Sequence, residues 1–261
     1  MSARSDDDLA RYYDLDLVDD PGDLDMYLAL AAAADGPNLE LAAGSGRVCV
    51  ALAAAGHDVT GVDRDPQMLK RARAAWESRA NVAGGGSLRL VEQDITRLDL
   101  GQRFGLVILA LNSLVLLDGR AAQKQTLEVI ARHLAADGRA VIDVWLPTPD
   151  DLALYDGRLV LDWVRRDEET GEWVAKTSSA RFEAAAATAE VTSFFDAWRE
   201  DAGGMRRTMR RDQVAFIGAS EFLGLVESAG LVVETLAGDY SLTPFSGTSE
   251  RIVMIGRLPS A

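Results

Sequence analysis

Between Asn38 and Trp145 the apolar positions fall into short β-rich runs, separated by segments in which they recur every three or four residues. The runs "NLELA" (38–42), "HDVTGVD" (57–63), "SLRLVEQD" (87–94), "FGLVILALN" (104–112) and "RAVIDVWLP" (139–147) predict strands. The fourth is apolar almost throughout, which suits a strand covered on both faces. Between them, "RVCVALAAAG" (47–56) predicts a helix stopped by Gly56, and "DPQMLKRARAAWESR" (65–79) one capped by Asp65 with Pro66 at its first position. "RAAQKQTLEVIARHLAADG" (120–138) predicts a third helix, ended by Gly138. Strand–helix alternation of this kind implies a parallel sheet with helices on both faces, and puts ligand chemistry in the loops beyond the carboxyl ends of the strands.

After Pro147 the period changes. "RLVLDWVRR", "EWVAKTSSARF", "AEVTSFFDAWRE" and "MRRTMRRDQVAFI" read as hairpin strands joined by "DEETG", "EAAAAT" and "DAGG". A helix (219–230) and two strands (231–238 and 250–258) then resume the first pattern. The expected architecture is one α/β domain over 1–261: a doubly wound, mostly parallel, seven-stranded sheet, with an antiparallel β cap inserted at 148–217 after the fifth strand.

Composition narrows the classes. The 261 residues are 48% hydrophobic, enough for a sizeable core, yet no apolar run approaches the ~20 residues of a membrane span. The start, "MSARSDDDLARYYD", has no apolar leader, and a single cysteine, Cys49, suits a reducing compartment, so a cytoplasmic protein without membrane attachment is expected. The only histidines, His57 and His133, are too few for a His-rich metal site, and no metal is expected. The net charge of −14 opposes nucleic-acid binding. Aspartate is concentrated in the first 25 residues, which read as a solvated acidic end.

Four loops carry candidate chemistry. In "LELAAGSGRV", Gly44 and Gly46 follow a strand and open a helix, where glycine allows a sharp turn and close approach to a ligand. The third glycine of a dinucleotide fingerprint is replaced by Cys49, and no Gly-Lys-Ser/Thr follows, which counts against nicotinamide and Walker-type loops. Glu40 places a carboxylate near the end of the first strand, repelling a pyrophosphate but suiting a cationic group, or simply bonding nearby N–H groups. Asp63 ends the second strand, where an acid accepts the hydroxyls of a ribose without distinguishing NAD from other adenosine cofactors. Asp94, followed by Ile95, could accept an adenine amine beside an apolar ring contact. Asn112 and Ser113 close the fourth strand, where the reacting part of a ligand would sit.

The ordered set Glu40-x-x-x-Gly44-x-Gly46, Asp63, Gln93-Asp94-Ile95 and Asn112 resembles the class I S-adenosylmethionine-dependent methyltransferases, with "GHDVTGVDRDPQMLKRAR" especially similar. The family often carries a further glycine where this chain has Ala42. The resemblance implies a Rossmann-like fold with S-adenosylmethionine as cofactor. Its methionine and ribose portion would lie against Gly44, Gly46 and Arg47, and its ribose on Asp63. Its adenine would lie among Arg64, Met68, Asp94 and Ile95, and its reacting end near Leu111 and Asn112. The antiparallel cap is similar to that of sugar-amine and glycine-type N-methyltransferases, and "RYYDLDL" to a segment that closes over the cofactor, which implies Tyr13. The acceptor would then be a small molecule attacking in line through an amine or hydroxyl, with no nucleic acid or membrane involved and a homodimer compatible. Proton acceptors would come from Tyr13, Tyr155, Asp196 or Tyr240. Trp145, Trp163, Phe194, Phe195 and Trp198 would line a pocket or form core. An NAD(P)-dependent oxidoreductase and a non-catalytic cofactor-binding protein stand as the alternatives.

Overall fold

The computed structural model describes residues 3–19, 21–79, 84–200 and 203–259. They form two compact units, one of Pro21–Leu146 with Ile217–Ala261, the other of Met1–Asp20 with Pro147–Phe216. Elements are numbered along the chain. The larger unit holds α2 (Leu24–Ala32), β1 (Asn38–Leu41), α3 (Arg47–Ala54), β2 (Asp58–Asp63), α4 (Pro66–Arg79), β3 (Ser87–Glu92) and β4 (Phe104–Leu109). It continues with α5 (Gly119–His133), β5 (Leu134–Trp145), α7 (Ala219–Ser228), β10 (Val232–Ala237) and β11 (Arg251–Arg257).

Its seven strands run β10-β11-β5-β4-β1-β2-β3, with β11 antiparallel to both neighbours and the remaining pairs parallel. Strand order reverses between β1 and β4, so the loops leaving these two strands diverge and open a crevice at their carboxyl ends. β1 and β4 are buried at every position; for β4 its apolar run demands this, whereas β1 buries Asn38 and Glu40 as well. Leu39, Leu41, Ile108 and Val141 form the centre of the sheet, with Val48, Cys49 and Leu52 of α3 packed into the core.

One boundary differs from the sequence pattern. α5 ends at His133, and Gly138 lies inside β5. His133 fixes the end: its ring bonds Val129 O through Nδ1 at 2.8 Å, and Nε2 accepts Leu100 N–H at 3.1 Å. Gly138 is needed where β5 crosses an irregularity against β4, because a Cβ there would come within 2.7 Å of Phe104 O.

The smaller unit comprises α1 (Ala3–Asp16), α6 (Pro149–Ala153) and a four-stranded antiparallel sheet of β6 (Asp156–Arg166), β7 (Trp173–Glu183), β8 (Thr188–Trp198) and β9 (Met205–Ala215), in that order. α1 lies on one face of this sheet. Tyr12 is fully buried and stacks on Phe195 at 5.0 Å, in a cluster with Val174 and Ala197. The acidic start is therefore only in part a solvated end. Asp8 pairs with Arg11 and Arg206, Asp16 with Lys176 at 2.8 Å, and Asp19 with Arg165 at 2.6 Å. Each Asp16 and Asp19 partner is on the sheet, far along the chain, so local composition gave no sign of it.

Candidate active site

The turn after β1 depends on three left-handed residues: Ala42 and Gly44, each at φ 55°, and Gly46 at φ 90°. A Cβ on Gly46 would lie 2.9 Å from Ala72 Cβ and 3.1 Å from Ala72 Cα, so glycine is what lets α3 start tight against α4. Ala42 occupies the family's extra glycine position and adopts the conformation that glycine would adopt freely. Relieving its strain by Ala42→Gly is expected to raise stability by about 0.5–1 kcal/mol, the gain being reduced by glycine's extra unfolded-state entropy. Chemical denaturation would measure it, and a loss of stability would contradict it.

Asp63 ties two loops together. Its Oδ2 accepts Gly44 N–H at 2.8 Å and its Oδ1 accepts Asp65 N–H at 2.9 Å. Each oxygen retains a lone pair for a further donor. Asp65, as expected, caps α4, accepting Gln67 N–H at 2.8 Å. Beyond β3, the exposed Asp94 accepts the Thr96 backbone N–H at 2.9 Å and its hydroxyl at 2.8 Å, which hold its carboxyl below the ordinary range and keep it ionised. Ile95 beside it is buried, and Met68 on α4 is half-buried. Beyond β4, Leu111 and Asn112 are left-handed in succession, at φ 48° and 60°. Asn112 Oδ1 holds this turn against β5 by accepting Trp145 N–H at 2.6 Å, and Ser113 Oγ donates to Ala110 O at 2.6 Å. Such paired strain concentrates at functional turns.

Glu40 does not stand exposed at the strand end. It is 3% exposed, and its Oε2 accepts Cys49 N–H at 2.7 Å. Cys49 is the third residue of α3, whose cap, Gly46, has no side chain, so Glu40 satisfies one of the helix's unpaired donors from the neighbouring strand. Burial outweighs that bond and pushes the carboxyl up to about 8. Between pH 4.5 and about 8 the folded chain then holds a proton that the unfolded chain has released, so this residue makes stability fall as pH rises, by at most about 1.4 kcal/mol per unit. Glu40→Gln is expected to flatten the decline. Urea unfolding at acid, neutral and mildly alkaline pH would test this, and parallel profiles for the two proteins would refute it.

The sequence reading missed a polar cluster beside the turn. Asp23 is fully buried, and both its oxygens receive Arg47, the first residue of α3, at 2.6 Å. Asp143 on β5 is fully buried and accepts the Tyr240 hydroxyl at 2.7 Å and Arg251 Nη1 at 2.6 Å. Burial, aided by repulsion between carboxylates, raises its pKa. Burial and the adjacent Asp143 likewise raise Tyr240, whose hydroxyl is a donor here and not a proton acceptor. Among the described residues the buried Tyr27 hydroxyl and Asp143 Oδ1 make no hydrogen bond. The signal for Asp23 was hidden because it read as one more acid of the N-terminal run.

Tyr13, Tyr155 and Asp196 belong to the smaller unit. Asp196 is engaged by Arg207 through two bonds of 2.7 and 2.6 Å, and burial raises the Tyr155 hydroxyl. Trp163 and Phe195 are part of that unit's core with Tyr12. The larger unit holds all the other expected residues: Glu40 on β1, Gly44 and Gly46 in the turn after it, Arg47 at the start of α3, Asp63 at the end of β2, Arg64 after it, Met68 on α4, Asp94 and Ile95 after β3, and Leu111 and Asn112 after β4.

Residues 39–138 match the family model described as a methyltransferase domain. That segment, a little over a third of the chain, is similar to a methyltransferase domain. The matched segment runs from β1 to the early part of β5 and includes all four loops of the site up to Asn112. A match of this kind agrees with Cys49 standing at the third-glycine position of a dinucleotide fingerprint. Solved structures share the fold of this chain. CcbJ from Streptomyces caelestis is 24% identical with a TM-score of 0.74, over 94% of this chain and 98% of that one. The sugar N-methyltransferase KedS8 from Streptoalloteichus sp is 23% identical with a TM-score of 0.72, over 97% and 92%. CalS10 from Micromonospora echinaspora, an amino pentose methyltransferase solved with S-adenosylmethionine bound, is 21% identical with a TM-score of 0.65, over 89% and 87%. No curated protein sequence matches the chain.

Proposed function

We propose that the protein transfers the methyl group of S-adenosylmethionine to the nitrogen of a small-molecule amine of the amino-sugar class. The observation that carries the cofactor reading is Asp63. Its carboxylate organises the glycine turn through Gly44 and still offers lone pairs to two ribose hydroxyls. Asp94, ionised on the adjacent loop, is set to accept an exocyclic amine, with Ile95, Met68 and Arg64 flanking the base. Gly44 and Gly46 leave room for the methionine portion, and Leu111 and Asn112 border the reacting end. Glu40 and Asp23 act one step back: Glu40 anchors α3 through Cys49 N–H, and Asp23 fixes Arg47 at its start.

The cofactor, when bound, supplies an already activated sulfonium methyl, so what the chain must contribute is position and exclusion of water. A net charge of −14 favours the approach of cationic amines. The amine must lose a proton before it attacks. Asp196, held by Arg207, and Tyr240, donating to Asp143, are not poised to take it. The amino-sugar class is supported by the names of KedS8 and CalS10. The lone thiol of Cys49, buried in α3, fits a reducing cytoplasm, and no described helix is long and apolar enough to cross a membrane.

Calorimetry with S-adenosylhomocysteine, followed by transfer of labelled methyl groups to a panel of amino, hydroxyl and carboxyl sugars, tests the reading. Micromolar binding and label on an amine are expected. Absence of binding at millimolar ligand would overturn the cofactor assignment, and label on a hydroxyl alone would overturn the amine.

A further inference from the structure

Strain marks a fifth loop at the carboxyl edge of the larger unit's sheet. Among the described residues, five that are not glycine have left-handed backbone. Four of them, Ala42, Leu111, Asn112 and Leu242, lie in the loops that leave β1, β4 and β10. β11 is antiparallel to both β5 and β10, so β10 runs with β5. Its loop, residues 238–250, therefore leaves at the same edge as the four loops described above. Leu242, at φ 60°, is a bulky residue, for which that conformation is an outlier. Such strain persists only where the surroundings over-determine the backbone, and it gathers at functional sites.

The loop is fixed from within and by the sheet. Gly238 N–H donates to Thr243 O at 2.8 Å, Thr243 N–H to Asp239 Oδ1 at 3.0 Å, and Phe245 N–H to Leu236 O at 3.0 Å. The sheet contributes Asp143, near the end of β5. Its Oδ2 accepts the Tyr240 hydroxyl at 2.7 Å and Arg251 Nη1 at 2.6 Å, and the Arg251 guanidinium lies 4.5 Å from the centre of the Tyr240 ring. The Leu111 N–H acts on the same carboxylate and favours its ionised form. Leu111 and Tyr240 also pack on one core cluster. Asn112, next along, accepts the N–H of Trp145, two residues beyond Asp143. One buried side chain thus meets both strained loops. Stability alone does not call for a carboxylate here. Asp143 is fully buried, and a buried ion pair commonly stabilises a fold no more than apolar residues of similar volume. What a carboxylate adds is direction, because it holds donors from separate segments in fixed geometry.

We propose that Asp143 is a positioning residue of the site, joining the loop after β10 to the Leu111–Asn112 turn so that the two hold or loosen together. This rests on the cofactor reading given above, in which that turn borders the reacting end of the cofactor. A ligand that steadies the turn then steadies the loop, and the coupling is reciprocal. The loop after β10 thereby becomes a fifth wall of the site.

Hydrogen exchange read by mass spectrometry tests this on the whole chain, with and without S-adenosylhomocysteine. Tyr240→Phe removes one bond to Asp143 and no atom of the turn after β4. It should speed exchange by about tenfold or more at 238–250 and also at 111–113, leaving α4 unchanged. Asp143→Asn, which keeps the shape and loses the charge, should loosen both segments as well. Should that variant not fold, Tyr240→Phe, at a half-buried position, still decides. Ser246→Ala is the control. Its hydroxyl meets Thr248 and Ser249 of the same loop, so exchange at 111–113 should match the wild type. In the wild type, S-adenosylhomocysteine should slow exchange at 42–48, 63–68 and 111–113, and at 238–250 too. In Tyr240→Phe the protection of 238–250 alone should be lost. Faster exchange confined to 238–250 in Tyr240→Phe would overturn the proposal. So would ligand protection of the first three segments of the wild type without the fourth. Absence of protection anywhere at millimolar ligand would instead overturn the cofactor reading.

Discussion

Asp63→Ala is expected to weaken S-adenosylhomocysteine binding by about 100-fold or more, with little change in fold. Two effects combine. The variant loses the acceptor for the ribose hydroxyls, and hydrogen bonds to a charged group contribute about 1.5–3 kcal/mol each. It also frees Gly44 N–H and Asp65 N–H, each held by one Asp63 oxygen at 2.8 and 2.9 Å, so the glycine turn and the start of α4 lose their common anchor. Asp63→Asn separates the two. Both carboxylate oxygens face backbone donors, so an amide must turn its NH₂ toward one of them whichever way it flips. Asn is therefore expected to bind far more weakly than the wild type despite its matching shape. Calorimetric titration of the three proteins is the check. Wild-type affinity in Asp63→Asn would show that the loop anchor is dispensable, and wild-type affinity in Asp63→Ala would remove the residue from the cofactor site.

The largest loss of stability is expected from Gly46→Val. A side chain at φ 90° is strained by about 1–2 kcal/mol, and the added Cβ meets Ala72 Cβ and Val50 Cγ2 at 2.9 Å. Together these should cost about 3 kcal/mol, lowering the apparent Tm by roughly 6–12 °C for a chain of this size. The steric share can be isolated. Ala72→Gly alone weakens α4 by about 1 kcal/mol, but in combination with Gly46→Ala it removes the atom that the new Cβ strikes. The double variant should be more stable than the sum of the single effects by about 1 kcal/mol. Strict additivity in thermal unfolding would refute the contact between α3 and α4 as the reason for this glycine.

Most of the sheet was legible because its signals are local. The apolar run of β4, the Asp65–Pro66 start of α4 and the Gly56 stop of α3 each depend on neighbours a few residues away. The end of α5 was not, because His133 ends the helix through Leu100, and Gly138 is dictated by Phe104, both on other segments. The site divides the same way. Gly44, Gly46, Asp63 and Asp94 stand at strand ends whose order the pattern predicts. Asp23, Tyr27, Asp143 and Arg251 stood in runs with no motif to single them out, and became a cluster only when α2, β5 and β11 were folded beside β1.

By itself, then, the sequence determined the alternation that builds a parallel sheet, the four loops at its carboxyl edge, and the carboxylates and glycines that suit an adenosine cofactor. These are matters of period, turn chemistry and spacing, which act within a few residues. Only the tertiary structure decided what each carboxylate does. Glu40 became a buried support for α3 instead of an exposed strand-end acid, and Asp196 and Asp143 became engaged with Arg207 and Arg251. The acidic N-terminal run became, in part, a set of buried and paired anchors. The reason is physical: burial and the nearest opposite charge set the state of an ionisable group, and both are supplied by segments remote in sequence.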